Sequence, residues 1–290
     1  MIIAQNIRPL ARIIRAAATI EGADMPVRRA LSAHAGVYPD PFLMLDHFGP
    51  AEVGPHTQGF PPHPHRGFET VTYMLSGAIE HNDSFGGHAE IGPGDVQWMT
   101  AGAGILHSET IPRHLQESGG TVEGLQIWVN LPKDKKAAEP GYQVIRGAEL
   151  ADLAGVAPGV SGKLIAGTLF GRKGPARSFT EMTIAVLELA AGAWLDLDLP
   201  PAMNVAIYVA AGEVATADDT TVAAARTLRF EPGEGRIVLR AHTPARLLLM
   251  AGVPLHEPAV ARGPFVMTTE GEVRQAMLDF QMGRFGVLNR

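Results

Sequence analysis

Two pairs of residues carry the side-chain types that chemistry needs. His63 and His65 stand one residue apart in FPPHPHRGFET (60–70), and His107 and Glu109 repeat that spacing in GILHSET (104–110). On a strand, side chains two apart point to the same side, so each pair projects as a unit. Two such pairs on neighbouring strands of a closed or rolled sheet would bring three imidazoles and one carboxylate onto one centre. A nitrogen and oxygen set of this kind suits a divalent transition metal, namely Fe(II), Mn, Ni, Cu, Co or Zn. A six-coordinate ion would keep positions open for a substrate oxygen or dioxygen. The chain has no cysteine, so thiolate ligands and disulfides are excluded.

The elements that must hold these pairs read as strands. The chain has 290 residues, 46% apolar and 19% charged, with 33 Gly and 22 Pro against few aromatics, a balance that favours many short strands and tight turns. ETVTYML (69–75) is β-branched and aromatic; SGA then turns the chain into IEHNDSF, and IGPGDVQWMTAG is a turn feeding another strand. Strands recur roughly ten residues apart, as in sandwiches and barrels. The charged stretch NLPKDKKAAEPGY (130–142) interrupts the series and divides the chain into domains 1–135 and 136–290. Beyond it the pattern resumes. SGAIEHND (76–83) parallels AGEVATAD (211–218), and IGPGDVQWM (91–99) parallels FEPGEGRIV (230–238), which points to an internal duplication. A helix is expected over TEGEVRQAMLDFQMGRF (269–285), with Thr269 as cap, Glu270 and Glu272 in the first turn, and Val273, Ala276, Met277 and Phe280 on one face.

The net charge of −6 and the absence of any basic run longer than KDKK disfavour direct nucleic-acid binding. Arg8, Arg12 and Arg15 break the N-terminal apolar stretch, and the longest apolar run, near Ala185 to Leu195, contains Glu188 and a Gly. No membrane segment and a cytoplasmic location are expected.

The run FPPHPHRGFETVTYMLSGAIEHNDSFG, followed by GPGDVQWMTAGAGILHSE, resembles the metal-binding half of pirin, a bicupin. GVPLHEPAVARGPFVMTTEGEVRQAMLDFQMGRFG resembles the closing segment of the same family, so the likeness runs from about DPFLMLDHFG (40–49) to the C-terminus. It implies an all-β fold of two tandem cupin (double-stranded β-helix, or jelly-roll) barrels with a short C-terminal helix. The N-terminal barrel would hold a single iron on His63, His65, His107 and Glu109. The C-terminal barrel would hold none, since LPPAMN (199–204) and PARLLLM (244–250) stand where ligands would be expected. Two functions follow from the likeness. One is a dioxygenase of the quercetin 2,3-dioxygenase type, taking a planar aromatic such as a flavonol together with dioxygen, opening its central ring with loss of carbon monoxide, with Glu109 as the catalytic proton acceptor. The other is a metal- or redox-dependent regulator that binds transcription factors or metabolic enzymes.

Other residues are weighed beside these. Glu69 reads as a hydrogen-bonding strand residue more readily than as a ligand. Gln97, Trp98 and Met99 line or back the cavity, and Asp46 and His47 stand at its mouth or in a turn. His56, His81, His88 and His114 lie among Gly, Pro, Asn and Asp and read as solvated loop histidines. His34 and His256 read as packing or hydrogen-bonding residues, and Arg66 as a partner for an acid near the metal or as an exposed loop residue.

Overall fold

The computed structural model describes residues 6–36 and 38–288. Two units emerge whose chain segments interleave: one draws its described residues from Ala17–Tyr38, Phe42–Gly147 and Leu255–Arg290, the other from Met1–Ala16, Pro39–Pro41 and Ala148–Pro254. The boundary expected at 135/136 falls inside the first unit, which runs on through Gly141–Ile145 to Gly147; the C-terminal stretch joins that same unit, and Leu10–Arg15 joins the other. Lys136, within the charged stretch expected to be a linker, is buried in the first unit. Its Nζ donates to Gly67 O (2.8 Å), Asn130 Oδ1 (2.6 Å) and Val266 O (3.0 Å).

The unit carrying His63 has a seven-stranded antiparallel sheet. Its order is Gly141–Ile145, Val96–Thr100, Phe68–Ser76, Gly120–Asn130, Phe42–Val53, Met25–Ser32 and Ala17–Glu21. The β-branched run FETVTYMLS makes Phe68–Ser76 a natural central strand. A four-stranded sheet, ordered Gly59–His65, Ile105–Thr110, Ile79–Asp83 and His88–Ile91, supplies the opposite wall. Met25, Val27, Phe48, Met74, Ile79 and Ile111 fill part of the interior. Glu69, Thr72, Gln97, His107 and Glu109 are buried in the same unit as polar residues.

The second unit repeats the plan with seven strands ordered Leu10–Arg15, Arg226–Phe230, Asn204–Ala211, Ala245–Gly252, Met182–Leu189, Val160–Ala166 and Ala151–Asp152. Its four-stranded sheet is Trp194–Leu197, Ile237–Ala241, Glu213–Thr216 and Thr221–Ala223. A register irregularity fixes the correspondence: Ser76 and Met74 oppose Glu123 and Gly124, as Ala211 and Val209 oppose Arg246 and Leu247. The first sequence parallel, 76–83 with 211–218, agrees with this register. The second does not. The Pro-Gly turn near Gly92 precedes Val96–Thr100, whereas the one near Gly233 follows Arg226–Phe230, the counterpart strand. Similar turns on opposite sides of a strand produced the false match.

The C-terminal helix is Glu270–Gln281. Thr269 accepts from the Glu272 N–H, and Glu272 accepts from the Thr269 N–H, a reciprocal cap. Its buried face is Val273, Ala276 and Asp279, while Met277 and Phe280 are exposed, in contrast to the expected stripe. Asp279, on the buried side, accepts from Arg66 NH1 at 2.7 Å.

Candidate metal centre

His63 and His65 end the strand Gly59–His65, and His107 lies on Ile105–Thr110, where it pairs directly with His63. The ladder slips between His107 and Glu109, so Glu109 opposes Phe60. The three rings converge, with centroids 4.3 Å apart for His63 and His107, 4.8 Å for His63 and His65, and 4.9 Å for His65 and His107. Nitrogens of all three lie within 4.8 Å of one another, and among the described residues this is the grouping suited to a metal ion.

The protonation states fit that use. A carbonyl only accepts, so the contacts of His63 Nδ1 with Pro61 O (2.8 Å) and of His65 Nδ1 with Pro264 O (3.4 Å) place the protons on Nδ1 and leave each Nε2 with a lone pair. His107 is fully buried, and neither ring nitrogen has a hydrogen-bond partner among the described residues. A buried imidazole with two unsatisfied nitrogens is costly unless something binds it. Burial, then the charge of neighbouring imidazoles, holds His65 and His107 well below the ordinary imidazole value, so both are neutral as ligation requires. The residues present therefore fit a divalent transition metal.

Glu109 is brought beside these rings but outside their grouping. Its Oε1 accepts from Gln97 Nε2, Gln126 Nε2 (3.2 Å) and Thr72 Oγ1 (3.4 Å), and its Oε2 accepts from Gln126 Nε2 (3.1 Å). The amides and the hydroxyl come from the seven-stranded sheet, where Gln97, Thr72 and Gln126 are direct cross-strand partners. The row continues through Asp46, opposite Gln126, to Arg29, opposite Asp46. Arg29 grips Asp46 with Nε at 2.9 Å and NH2 at 2.7 Å, and NH2 also reaches Glu21 at 2.8 Å. Burial pushes the Asp46 carboxyl up, against the pull of Arg29.

A cavity of about 390 Å³ opens on His63, His65 and Glu109. Met44, Phe60 and Trp128 give it apolar walls, and Gly263 and Pro264 of the C-terminal segment close part of it. Trp128 and Phe68 also pack their rings on His65, at 5.2 and 5.0 Å.

The remaining expectations divide. Glu69 is fully buried and accepts from Thr100 Oγ1 at 2.7 Å, as a strand hydrogen-bonding residue. Trp98 and Met99 are core, whereas Gln97 belongs to the Glu109 network. Asp46 lines the cavity, while His47 contacts Glu123 at 2.8 Å. His56, His88 and His114 are exposed, but His81 is not. It is fully buried in Ile79–Asp83, bonded through Nε2 to Asp83 (3.1 Å) and stacked on Tyr142 with centroids 4.1 Å apart. The strand alternates inward at Ile79, His81 and Asp83, a period its Asn and Asp neighbours obscured. His34, expected to pack, lines the cavity.

In the second unit the shared register puts Leu197, Leu199, Ile237 and Leu239 at the counterparts of His63, His65, His107 and Glu109. All four are buried in one apolar cluster. The second ligand pair therefore corresponds to the strand Ile237–Ala241 and not to PARLLLM. No helix among the described residues is long and apolar enough to cross a membrane.

Residues 24–129 match the family described as Pirin, and residues 184–286 match the Pirin C-terminal cupin domain. A Pseudomonas aeruginosa protein named provisionally as a quercetin 2,3-dioxygenase is 41% identical over 269 residues, 91% of this chain and 93% of that one. The crystal structure of a quercetin 2,3-dioxygenase from Acinetobacter baumannii superposes with a TM-score of 0.92 at 35% identity, covering 97% of this chain and 99% of the other. The bacterial pirin YhhW from Escherichia coli, solved in complex with nickel(II), shares the fold at a TM-score of 0.65 and 21% identity, over 84% of this chain and 99% of that one. With both cupin halves matched and relatives aligned along most of its length, this chain belongs to the pirin family.

Proposed function

We propose that this protein is a metal-dependent dioxygenase of the quercetin 2,3-dioxygenase type, acting on a flavonol or a similar planar hydroxylated aromatic. The observation that carries the reading is the convergence of three imidazoles, two of which, His63 and His65, open with the hydrogen-bonded carboxylate of Glu109 onto one apolar-walled cavity. His63, His65, His107 and Glu109 would hold the ion, with Fe(II) as the preferred occupant and Ni, Mn, Cu, Co and Zn as alternatives. When bound, the metal supplies Lewis acidity toward the flavonol hydroxyl and redox reactivity toward dioxygen. Phe60, Trp128 and Met44 grip the flat rings and exclude water. Glu109, if released from the ion, would take the hydroxyl proton, leaving flavonolate and a neutral carboxylic acid. A cytoplasmic location is part of the proposal, supported by the absence of cysteine.

Protein reconstituted with each of the six metals in turn and given quercetin in air should bleach the flavonol absorbance and release carbon monoxide with at least one of them. No turnover with any metal overturns the assignment. Elemental analysis of His107→Ala should show most of the metal gone.

A metal-dependent regulatory role is the second reading, favoured by the exposed Met277, Leu278, Phe280 and Met282 at the C-terminal helix. Partner recovery by wild type and His63→Ala should then differ; identical recovery counts against it.

A further inference from the structure

The hydrogen bonds around Glu109 admit one arrangement of protons. The amide groups that face Glu109 are the NH2 groups of Gln97 and Gln126, which can only donate. Each amide oxygen then points away from Glu109. Gln126 Oε1 receives the indole N–H of Trp128 at 3.4 Å, and indole nitrogen is a donor only. Gln97 Oε1 receives the Tyr142 hydroxyl at 3.0 Å. Burial, then the carboxylates of Glu109 and Asp83, push the Tyr142 hydroxyl up, so its proton stays in place. The Thr72 hydroxyl closes the set. It accepts from Gln97 Nε2 (3.3 Å) and Gln126 Nε2 (3.2 Å) and gives its own proton to Glu109 Oε1.

The outcome is lopsided. Gln97 and Thr72 fill the two acceptor sites of Glu109 Oε1, while Gln126, with one hydrogen on Thr72, shares the other between Oε1 (3.2 Å) and Oε2 (3.1 Å), so among the described residues Oε2 has that one donor and a lone pair to spare. We propose that Gln97, Thr72 and Gln126 form a cradle, locked by Tyr142 and Trp128, that anchors Glu109 through Oε1 and leaves Oε2 as the oxygen that engages the metal and the substrate hydroxyl. Tyr142 and Thr72 are positioning residues in this scheme: they act on the site through Gln97 and Glu109. The inference rests on the proposed metal-dependent reading and adds to it which oxygen works and what aims it. The second unit lacks the device, because the counterpart of Glu109 is Leu239, in an apolar cluster.

Tyr142→Phe is the cleanest probe, since it keeps the ring stacked on His81 and removes one oxygen that does not line the cavity. Freed of its outer donor, the Gln97 amide can rotate and turn its oxygen toward Glu109. Thr72→Val, of equal shape, removes the link between the two amides. The probe is Co(II) alone, titrated into metal-free protein, read by its visible ligand-field bands and by competition with a chelator. Each variant should bind Co(II) up to about tenfold more weakly, the size of one lost hydrogen bond, and should shift the bands. Thr72→Ser, which restores the hydroxyl, should restore both. A structural role alone would lower the melting temperature of metal-free protein and leave the bands of the loaded protein unchanged. Wild-type bands and affinity in both Tyr142→Phe and Thr72→Val overturn the cradle, whatever happens to melting. Because no flavonol is present, a protein that passes this test yet never consumes quercetin refutes the proposed reaction and not the cradle. Failure of wild type to bind Co(II) overturns both.

Discussion

Replacing His107 with Leu should make the metal-free protein more stable. His107 is fully buried, and its two ring nitrogens lack hydrogen-bond partners among the described residues. Each unsatisfied group costs about 1–3 kcal/mol, so the pair costs about 2–6 kcal/mol. An aliphatic side chain removes that cost, and imperfect fit takes back about 1–3 kcal/mol. A net gain of about 2 kcal/mol remains, which raises Tm by about 3 °C at this chain length. The counterpart in the second unit is already aliphatic, Ile237 in a well-filled cluster. Metal should invert the order. At a concentration one hundred times Kd, wild type gains about 2.7 kcal/mol, and the variant, short of a ligand, gains far less. Calorimetric melts of both proteins, after chelator dialysis and again with added Fe(II) or Co(II) under anaerobic conditions, provide the assay. If metal-free His107→Leu melts at or below metal-free wild type, the orphaned nitrogens are not the cost assigned to them. Equal metal-induced shifts in the two proteins would refute His107 as a ligand.

Three further outcomes follow from the wall of the site. Lys136→Met leaves three carbonyl acceptors without their buried donor and should cost about 3 kcal/mol in urea unfolding. Gly67 has φ of +87°, and a Cβ there would strike the Val266 carbonyl oxygen, so Gly67→Ala should lose more than about 2 kcal/mol and weaken metal retention during gel filtration. Arg66, then Gln275, hold the Asp279 carboxyl below its usual range. A lowered folded-state value stabilises above the ordinary carboxyl range near about pH 4 and is lost as pH falls below it. Asp279→Asn should therefore have a lower urea midpoint at pH 7, with the gap to wild type closing in acid.

The histidine pairs were legible because i, i+2 on a strand is a local rule that needs no knowledge of neighbours. Arg29, Asp46, Thr72, Gln97 and Gln126 form one row across five strands, yet no local spacing connects them. Their partnership comes from register, which hairpin lengths and irregularities set, and one residue of slip would send each to the other face. His81 was hidden differently: polar neighbours resembled a loop, and only the buried alternation of its strand reveals it. The duplicated halves matched at Gly77 and Gly212, where both turns have positive φ, and failed at Pro-Gly turns that the fold uses in different connections. In the C-terminal helix, hydrophobicity alone could not anticipate that Asp279, paired with Arg66, would lie on the buried face.

The order of synthesis gives the C-terminal segment another meaning. Pro264 lies 199 residues after the His65 it orients, and Val266 closes on Gly67 through Lys136. A ribosome therefore delivers the histidines long before their wall, and the nascent barrel presents them open on one side. The finished centre assembles only after residues 264–266 have emerged and docked. If the proposed centre binds metal, tight capture would mark a chain synthesised past that point, and a product truncated before it would be left a leaky site that proteases and competing chelators can reach.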